Sequence, residues 1–166
     1  RPACHHGPVA DDGTVHRYQA QVRWSGSTGA GYDAYDRTHT AEATPASTPL
    51  TLSADPAFRG DPDRLNPEQL VVLAASSCQL LSFLAVAARA RIDVRSYEDD
   101  AVAVMPEDDR PVRLTAITLR PRVVVGPGPT VERIHHLLEV AHRECFIANS
   151  LRTEIQVDAS VTIADG

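Results

Sequence analysis

The chain has 166 residues, 43% of them apolar and 23% charged, with a formal net charge of −6. That length and balance describe one ordinary globular domain with enough apolar surface for a core, and the negative charge argues against a nucleic-acid-binding face. All 16 basic side chains are arginine, so any functional cation is a planar, permanently charged fork.

In chain order, residues 1–15 are polar and rich in Pro, Gly and His, and read as a flexible tail ahead of a single domain over 16–166. Cys4-His5-His6 in that tail is half a metal site without a fixed third ligand, so no metal is expected there. His16 to Trp24 alternates, with Tyr18, Ala20, Val22 and Trp24 on one face, which predicts a half-buried strand. A glycine-rich turn, Ser25 to Gly31, leads to a second strand over Tyr32 to Ala43, in which Tyr35, Arg37 and His39 share a face by period two. Thr48 to Leu52 reads as a short third strand and Ser53 to Leu65 as a loop.

Asn66-Pro67-Glu68 is a strong helix start: a capping Asn, Pro at the first helical position and an acid in the first turn. The helix is expected to run to about Ala90 and, being apolar on most sides, to be buried under a sheet. Its apolar run from Leu70 is broken by Ser76, Ser77, Gln79 and Ser82, so no membrane span of ~18 apolar residues is expected. No secretory signal is recognised at the start. Val94 to Val104 and Arg113 to Val125 follow as strands, separated by the loop Met105 to Pro111. Gly126 to Pro129 is a hard break. Thr130 then caps a helix through about Glu144, with Ile134, Leu137, Leu138 and Ala141 at helical spacing, and Thr153 to Ile163 alternates as a last strand. The order βββ-α-ββ-α-β predicts an α+β domain with its strands arranged around a long helix.

The candidate chemistry lies with the cysteines. Three of them make no even disulfide framework, which fits a reducing cytoplasmic setting. Cys78 lies within the long apolar helix, where a free cysteine is commonly a small core residue. Its flanking Ser76 and Ser77, and Glu68 at the helix start, open a second reading. Glu68 is ten residues earlier, about three turns and ~80° around the helix, so its carboxylate does not reach the sulfur and a bridging arginine would be needed. An arginine beside a thiol lowers its pKa and enriches the reactive thiolate. Cys145, at the end of the second helix, faces the negative end of a helix dipole, which raises a thiol pKa and makes it the weaker first nucleophile. His135-His136 and His142 on that helix read as surface residues. No phosphate loop, dinucleotide fingerprint or nucleophile elbow is present, and no cofactor is expected.

Asn66-Pro67-Glu68-Gln69-Leu70, Ala74-Ala75-Ser76-Ser77-Cys78, and Cys145 followed by Asn149-Ser150-Leu151 together resemble the OsmC/Ohr family, over about His16 to Ile163. The resemblance implies an OsmC-like fold of antiparallel sheets around a long central helix, in an intertwined homodimer with sites at the interface. It implies a thiol peroxidase in which Cys78 attacks an organic hydroperoxide and Cys145 resolves the sulfenic acid to a disulfide. An external dithiol, such as a lipoyl group, would be the reductant. Glu68 matches the family's helix-start glutamate, which positions a catalytic arginine from the N-terminal strands. Arg37 is the choice for that arginine, and Arg23 is the alternative, placed by Val22 and Trp24 on the solvent face. Phe146 departs from the proline that often follows the family's second cysteine. Two other readings stand beside this one: a non-catalytic domain binding a small apolar ligand, and a Cys–His hydrolase that would need His39 against Cys78.

Overall fold

The computed structural model describes residues 15–165, so the Cys4-His5-His6 cluster lies outside the described residues. The chain divides after Leu65 into two compact units.

In the first unit, β1 (Gln21–Arg23), β2 (His39–Glu42) and β3 (Leu50–Leu52) form an antiparallel sheet in that order. The first two strands are shorter than the alternation predicts. Val22 is 62% exposed, so β1 is not the half-buried strand expected. Tyr32 to Ala34 is a turn, and β2 begins only at His39, so the period-two face joining Tyr35, Arg37 and His39 does not form. Local hydrogen bonding wins over strand propensity here. Asp36 accepts from its own chain at Thr38 N–H (2.8 Å), and Trp24 Nε1–H donates to the Asp36 carbonyl (2.8 Å). In the following loop Asp55 caps a 3-10 turn over Pro56–Phe58. Gly60 must be glycine, since a Cβ there would lie 1.7 Å from the Ala54 carbonyl oxygen.

The second unit opens with α1 (Pro67–Arg89), whose cap is a reciprocal pair: Gln69 N–H donates to Asn66 Oδ1 (2.8 Å) and Asn66 N–H to Gln69 Oε1 (3.0 Å). Gln69, rather than Glu68, therefore completes the box. The strands expected at 94–104, 113–125 and 153–163 are each present and each broken in two: β4 (Val94–Asp99) and β5 (Val102–Val104), β6 (Ala116–Leu119) and β7 (Pro121–Val125), β8 (Glu154–Val157) and β9 (Ser160–Ile163). The halves go to different three-stranded sheets, β4-β7-β9 and β5-β6-β8. Each sheet is mixed, because β7·β9 and β6·β8 pair in parallel. Asp99 holds one of the corners, accepting from Arg120 N–H (2.6 Å) and from the Ser76 hydroxyl on α1.

α2 (Val131–Glu144) starts at Thr130, whose Oγ1 accepts from Arg133 N–H (3.3 Å), and ends where predicted. A short helix, α3 (Phe146–Ser150), follows directly and was not expected. The α1 stripe Ala75, Gln79, Phe83, Val86, Ala87 is buried. Its later half packs with Val123 and Val125 of β7 and with Ile134, Leu137, Leu138 and Ala141 of α2. Ala75 packs instead with Ile117 and Leu119 of β6. Cys78 thus lies where the cores of the two sheets meet along one helix.

The expectation that α1 is buried on most sides is overturned. By length and composition it is apolar enough to cross a membrane, yet most of it is not buried, with Leu73, Leu81 and Leu84 exposed. A helix that packs on a core along one stripe passes the same composition test, so the hydropathy carries no membrane reading.

Candidate functional site

Cys78 sits on an α1 stripe of its own, beside the buried one. Ala74, Leu81, Ser82, Ala85 and Arg89 stand at i−4, i+3, i+4, i+7 and i+11 from it, and helical geometry puts all of them on its face. With Ser77 they form one wall of an open cavity of about 650 Å³, and Glu144, Phe146 and Asn149 form the other. The sulfur therefore faces an apolar groove, made by the side of α1 that the core leaves uncovered.

The chain turn between α2 and α3 brings the second thiol to the first. Cys145 ends one helix and caps the next, its sulfur accepting from Ala148 N–H at 3.5 Å. It is buried, whereas Cys78 is half-buried, and both thiols are free. Burial raises the Cys78 pKa. Hydrogen bonds to its sulfur from Ile147 N–H, the Cys145 thiol, Phe146 N–H and the Ser82 hydroxyl outweigh that, and hold it below the ordinary thiol value. Cys145 goes the other way. Burial pushes it up first, and both its hydrogen bond to Cys78 and the charge of that neighbour add to this against the Ala148 and Ile147 N–H groups, to about 11.

The pair is therefore a thiolate-prone sulfur open to a cavity and a protonated thiol behind it, donating to it. The causes differ from those expected. No arginine is among the groups that lower Cys78; backbone N–H groups of the unexpected α3 do so. Cys145 is raised by burial and by Cys78, not by a helix C-terminus. Ser82 and the Arg89–Glu144 pair were missed, and the i+4 and i+11 spacings from Cys78 are the signals that pointed to Ser82 and Arg89.

Because the Cys145 thiol helps to hold Cys78 as thiolate, Cys145→Ala is expected to move the Cys78 titration upward. Thiolate absorbance at 240 nm against pH reads this directly, and an unmoved or lowered midpoint would contradict the hydrogen bond.

The other sequence candidates are placed as follows. Glu68 is half-buried in the first turn of α1 and is not among the residues lining the Cys78 cavity. Arg37 lies in the first unit, on the loop before β2, and is only 9% exposed. Its Nη1 and Nη2 donate to the Tyr35 and Tyr32 carbonyls (2.8 and 2.7 Å), and its guanidinium carbon lies 4.0 and 4.6 Å from the centres of those two rings. Two carbonyls and two ring faces together fix a side chain that is otherwise highly mobile. Arg23 is exposed on β1 and paired with Glu42 at 2.8 Å. His39 Nδ1 donates to the Arg37 carbonyl (2.8 Å). His135 and His142 line a separate cavity of about 330 Å³, with His142 Nδ1 3.3 Å from Oε1 of the buried Gln79. Among the described residues no group of three His, Cys, Asp or Glu side chains is placed to hold a metal ion.

The family model for OsmC-like proteins matches residues 60–160. An OsmC-like protein of unknown function from Vibrio cholerae is similar in structure with a TM-score of 0.78 and 32% sequence identity, over 89% of this chain and 100% of that one. An organic hydroperoxide resistance protein from Elizabethkingia anophelis superposes with a TM-score of 0.67 at 21% identity, over 91% of this chain and 99% of that one. The organic hydroperoxide resistance protein OhrB of Bacillus subtilis gives a TM-score of 0.59 at 16% identity, over 89% and 98%. At those last two identities the likeness is one of fold. No curated protein matches the chain at the sequence level.

Proposed function

The chain belongs to the OsmC-like protein family, and from that premise we propose that it is a cysteine-based peroxidase reducing organic hydroperoxides. The observation that supports this reading most is the hydrogen-bonded pair of thiols with opposite pKa shifts at an apolar cavity. A thiolate-prone sulfur with access to the cavity is the nucleophile, and a neighbouring protonated thiol is the resolver. Two structurally similar proteins carry the name organic hydroperoxide resistance protein.

In the proposed cycle the Cys78 thiolate attacks the terminal oxygen of ROOH. The S–O bond forms as the O–O bond breaks, sulfur is oxidised to sulfenic acid, and the leaving alkoxide takes a proton and departs as ROH. Cys145 then attacks the sulfenic sulfur, the S–S bond forms, and water is released. An external dithiol, a lipoyl group being a fitting class, reduces the disulfide by exchange and leaves as its own disulfide. Arg37 is assigned to stabilise charge on the leaving oxygen and Glu68 to orient it. The exposed leucines of α1 support a homodimer that covers this face, and the free cysteines fit a cytoplasmic setting.

The test is to treat the reduced protein with cumene hydroperoxide and count thiols by mass spectrometry. Loss of two hydrogens mapped to Cys78–Cys145, with dithiol-dependent turnover, is expected. Unchanged thiols at excess peroxide would sink the proposal. Arg37→Lys keeps the charge but loses the fork, and a parental peroxide reaction rate in that variant would remove Arg37 from the mechanism.

A further inference from the structure

Tyr97, in the middle of β4, has a buried hydroxyl oxygen with no hydrogen-bond partner among the described residues. A buried hydroxyl left unpaired is destabilising, so its presence calls for a physical reason. Tyr97 and Asp99 stand two apart on the strand and share a face. That face is turned to α1: the Tyr97 ring centre lies 6.0 Å from that of Phe83, and Asp99 Oδ2 accepts from the Ser76 hydroxyl. Ser76 and Phe83 bracket Cys78 along the helix. The other Asp99 oxygen accepts from Arg120 N–H at 2.6 Å, so the carboxylate is engaged on both sides and leaves the phenol unpaired. Burial keeps the phenol protonated far above its ordinary range, and the charges of Asp99 and Cys145 add to this. Tyr97 is therefore a fixed donor. Cys145, whose charge acts on it, is itself only 1% exposed, so the unused donor and the second thiol share one buried region behind Cys78.

We infer that Tyr97 stabilises Cys145 as a thiolate: its hydroxyl donates to the Cys145 sulfur when that sulfur becomes anionic, and has no partner until then. In the reduced protein Cys145 donates to Cys78 and accepts from backbone N–H groups. Oxidation of Cys78 removes the thiolate to which Cys145 donates, and this frees the Cys145 side chain to turn. Cys145 is then anionic twice in the cycle. It loses its proton to attack the Cys78 sulfenic sulfur, and the hydroxide displaced there leaves as water. During reduction, a thiolate of the external dithiol attacks the half-buried Cys78 sulfur, the S–S bond breaks, and Cys145 leaves as a thiolate and takes a proton. The second thiol of the reductant then displaces Cys78, and the reductant departs as its own disulfide. A thiol pushed up to about 11 is both hard to ionise and a poor leaving group. A charge-assisted hydrogen bond from a buried phenol relieves both difficulties. The first of these steps rests on the reading of Cys78 as the peroxide-attacking thiol, whereas the second needs only the disulfide.

The test is Tyr97→Phe, which keeps the ring against Phe83 and removes only the oxygen. Because that oxygen is unpaired in the reduced protein, the unfolding midpoint is expected to stay level or rise. A clear fall would mean that the hydroxyl is already paired, and would overturn the inference. In the first arm the Cys78–Cys145 disulfide is formed with diamide and its reduction by dithiothreitol is followed by stopped flow. Tyr97→Phe is expected to slow this about tenfold, the effect of losing one hydrogen bond to a charged group. In the second arm the reduced protein receives one equivalent of cumene hydroperoxide. Oxidation of Cys78 is expected to match the parent within about twofold, while the sulfenic acid, trapped with dimedone, persists about tenfold longer. A purely structural role would move attack and resolution together or leave both alone. Unchanged disulfide reduction in Tyr97→Phe would overturn the inference, as would thiols that stay free under diamide. If reduction slows as expected but the peroxide leaves Cys78 unoxidised, the role of Tyr97 stands and the peroxidase reading is the one that fails.

Discussion

Cys78→Ser is expected to lower kcat/KM for cumene hydroperoxide by roughly 10³-fold or more, because the serine hydroxyl is not ionised near neutral pH and is a far weaker nucleophile than a thiolate. The substitution is nearly isosteric at a half-buried position, so far-ultraviolet circular dichroism and the unfolding midpoint should stay close to those of the parent. Cys145→Ser should fail at a different step. One equivalent of peroxide is consumed, and a sulfenic acid accumulates at Cys78 that a dimedone adduct traps at that residue. Turnover with dithiol then falls away. Together the two variants separate attack from resolution. Retained turnover in Cys78→Ser, or a dimedone adduct that maps elsewhere, would remove Cys78 from the role.

Phe83→Ala is expected to cost about 3–5 kcal/mol of folding stability, the range for deleting a large aromatic side chain from a packed core. Phe83 is fully buried, its ring centre 6.0 Å from that of Tyr97, in a cluster that joins α1 to β7 and α2. Against a typical total of roughly 5–15 kcal/mol, such a loss leaves a marginal protein. Urea denaturation monitored by circular dichroism measures it as a lowered midpoint at unchanged slope. Two positions back, Leu81 is 63% exposed, and Leu81→Ala should change the stability of the dilute chain by no more than about 0.5 kcal/mol. A large loss at Leu81 together with a small one at Phe83 would mean that α1 is rotated about its axis relative to this structure, and would also misplace Cys78.

Much of this architecture is written locally. Asn66-Pro67 starts α1 and Thr130 starts α2 because capping depends on neighbours within one turn, and both ends of α2 fall where its pattern puts them. The three later strands are legible from period two. Their division between two sheets is not, since alternation continues across a corner: nothing in Val94 to Val104 says that Asp99 will be tied to α1 through Ser76 and to the chain at Arg120. Arg37 shows the opposite failure. The alternation around it is real, but Asp36 and Trp24 satisfy the backbone locally and keep the strand from starting before His39.

Residue choice along α1 and at the α2 end placed two cysteines on helical punctuation and marked Cys78 as the one worth testing. The direction in which each thiol is tuned agrees with the sequence expectation, but the groups that tune it were settled only by tertiary contact. α3, a five-residue helix too short to show a period, turns Phe146 and Ile147 N–H groups toward Cys78 and buries Cys145 against it. The apolar character of α1 was likewise plain in its residues, but composition does not say which stripe the core takes. Packing against two sheets covers the Ala75–Phe83 side and leaves the Cys78–Arg89 side as a groove, and a pKa or a pocket exists only once that choice has been made.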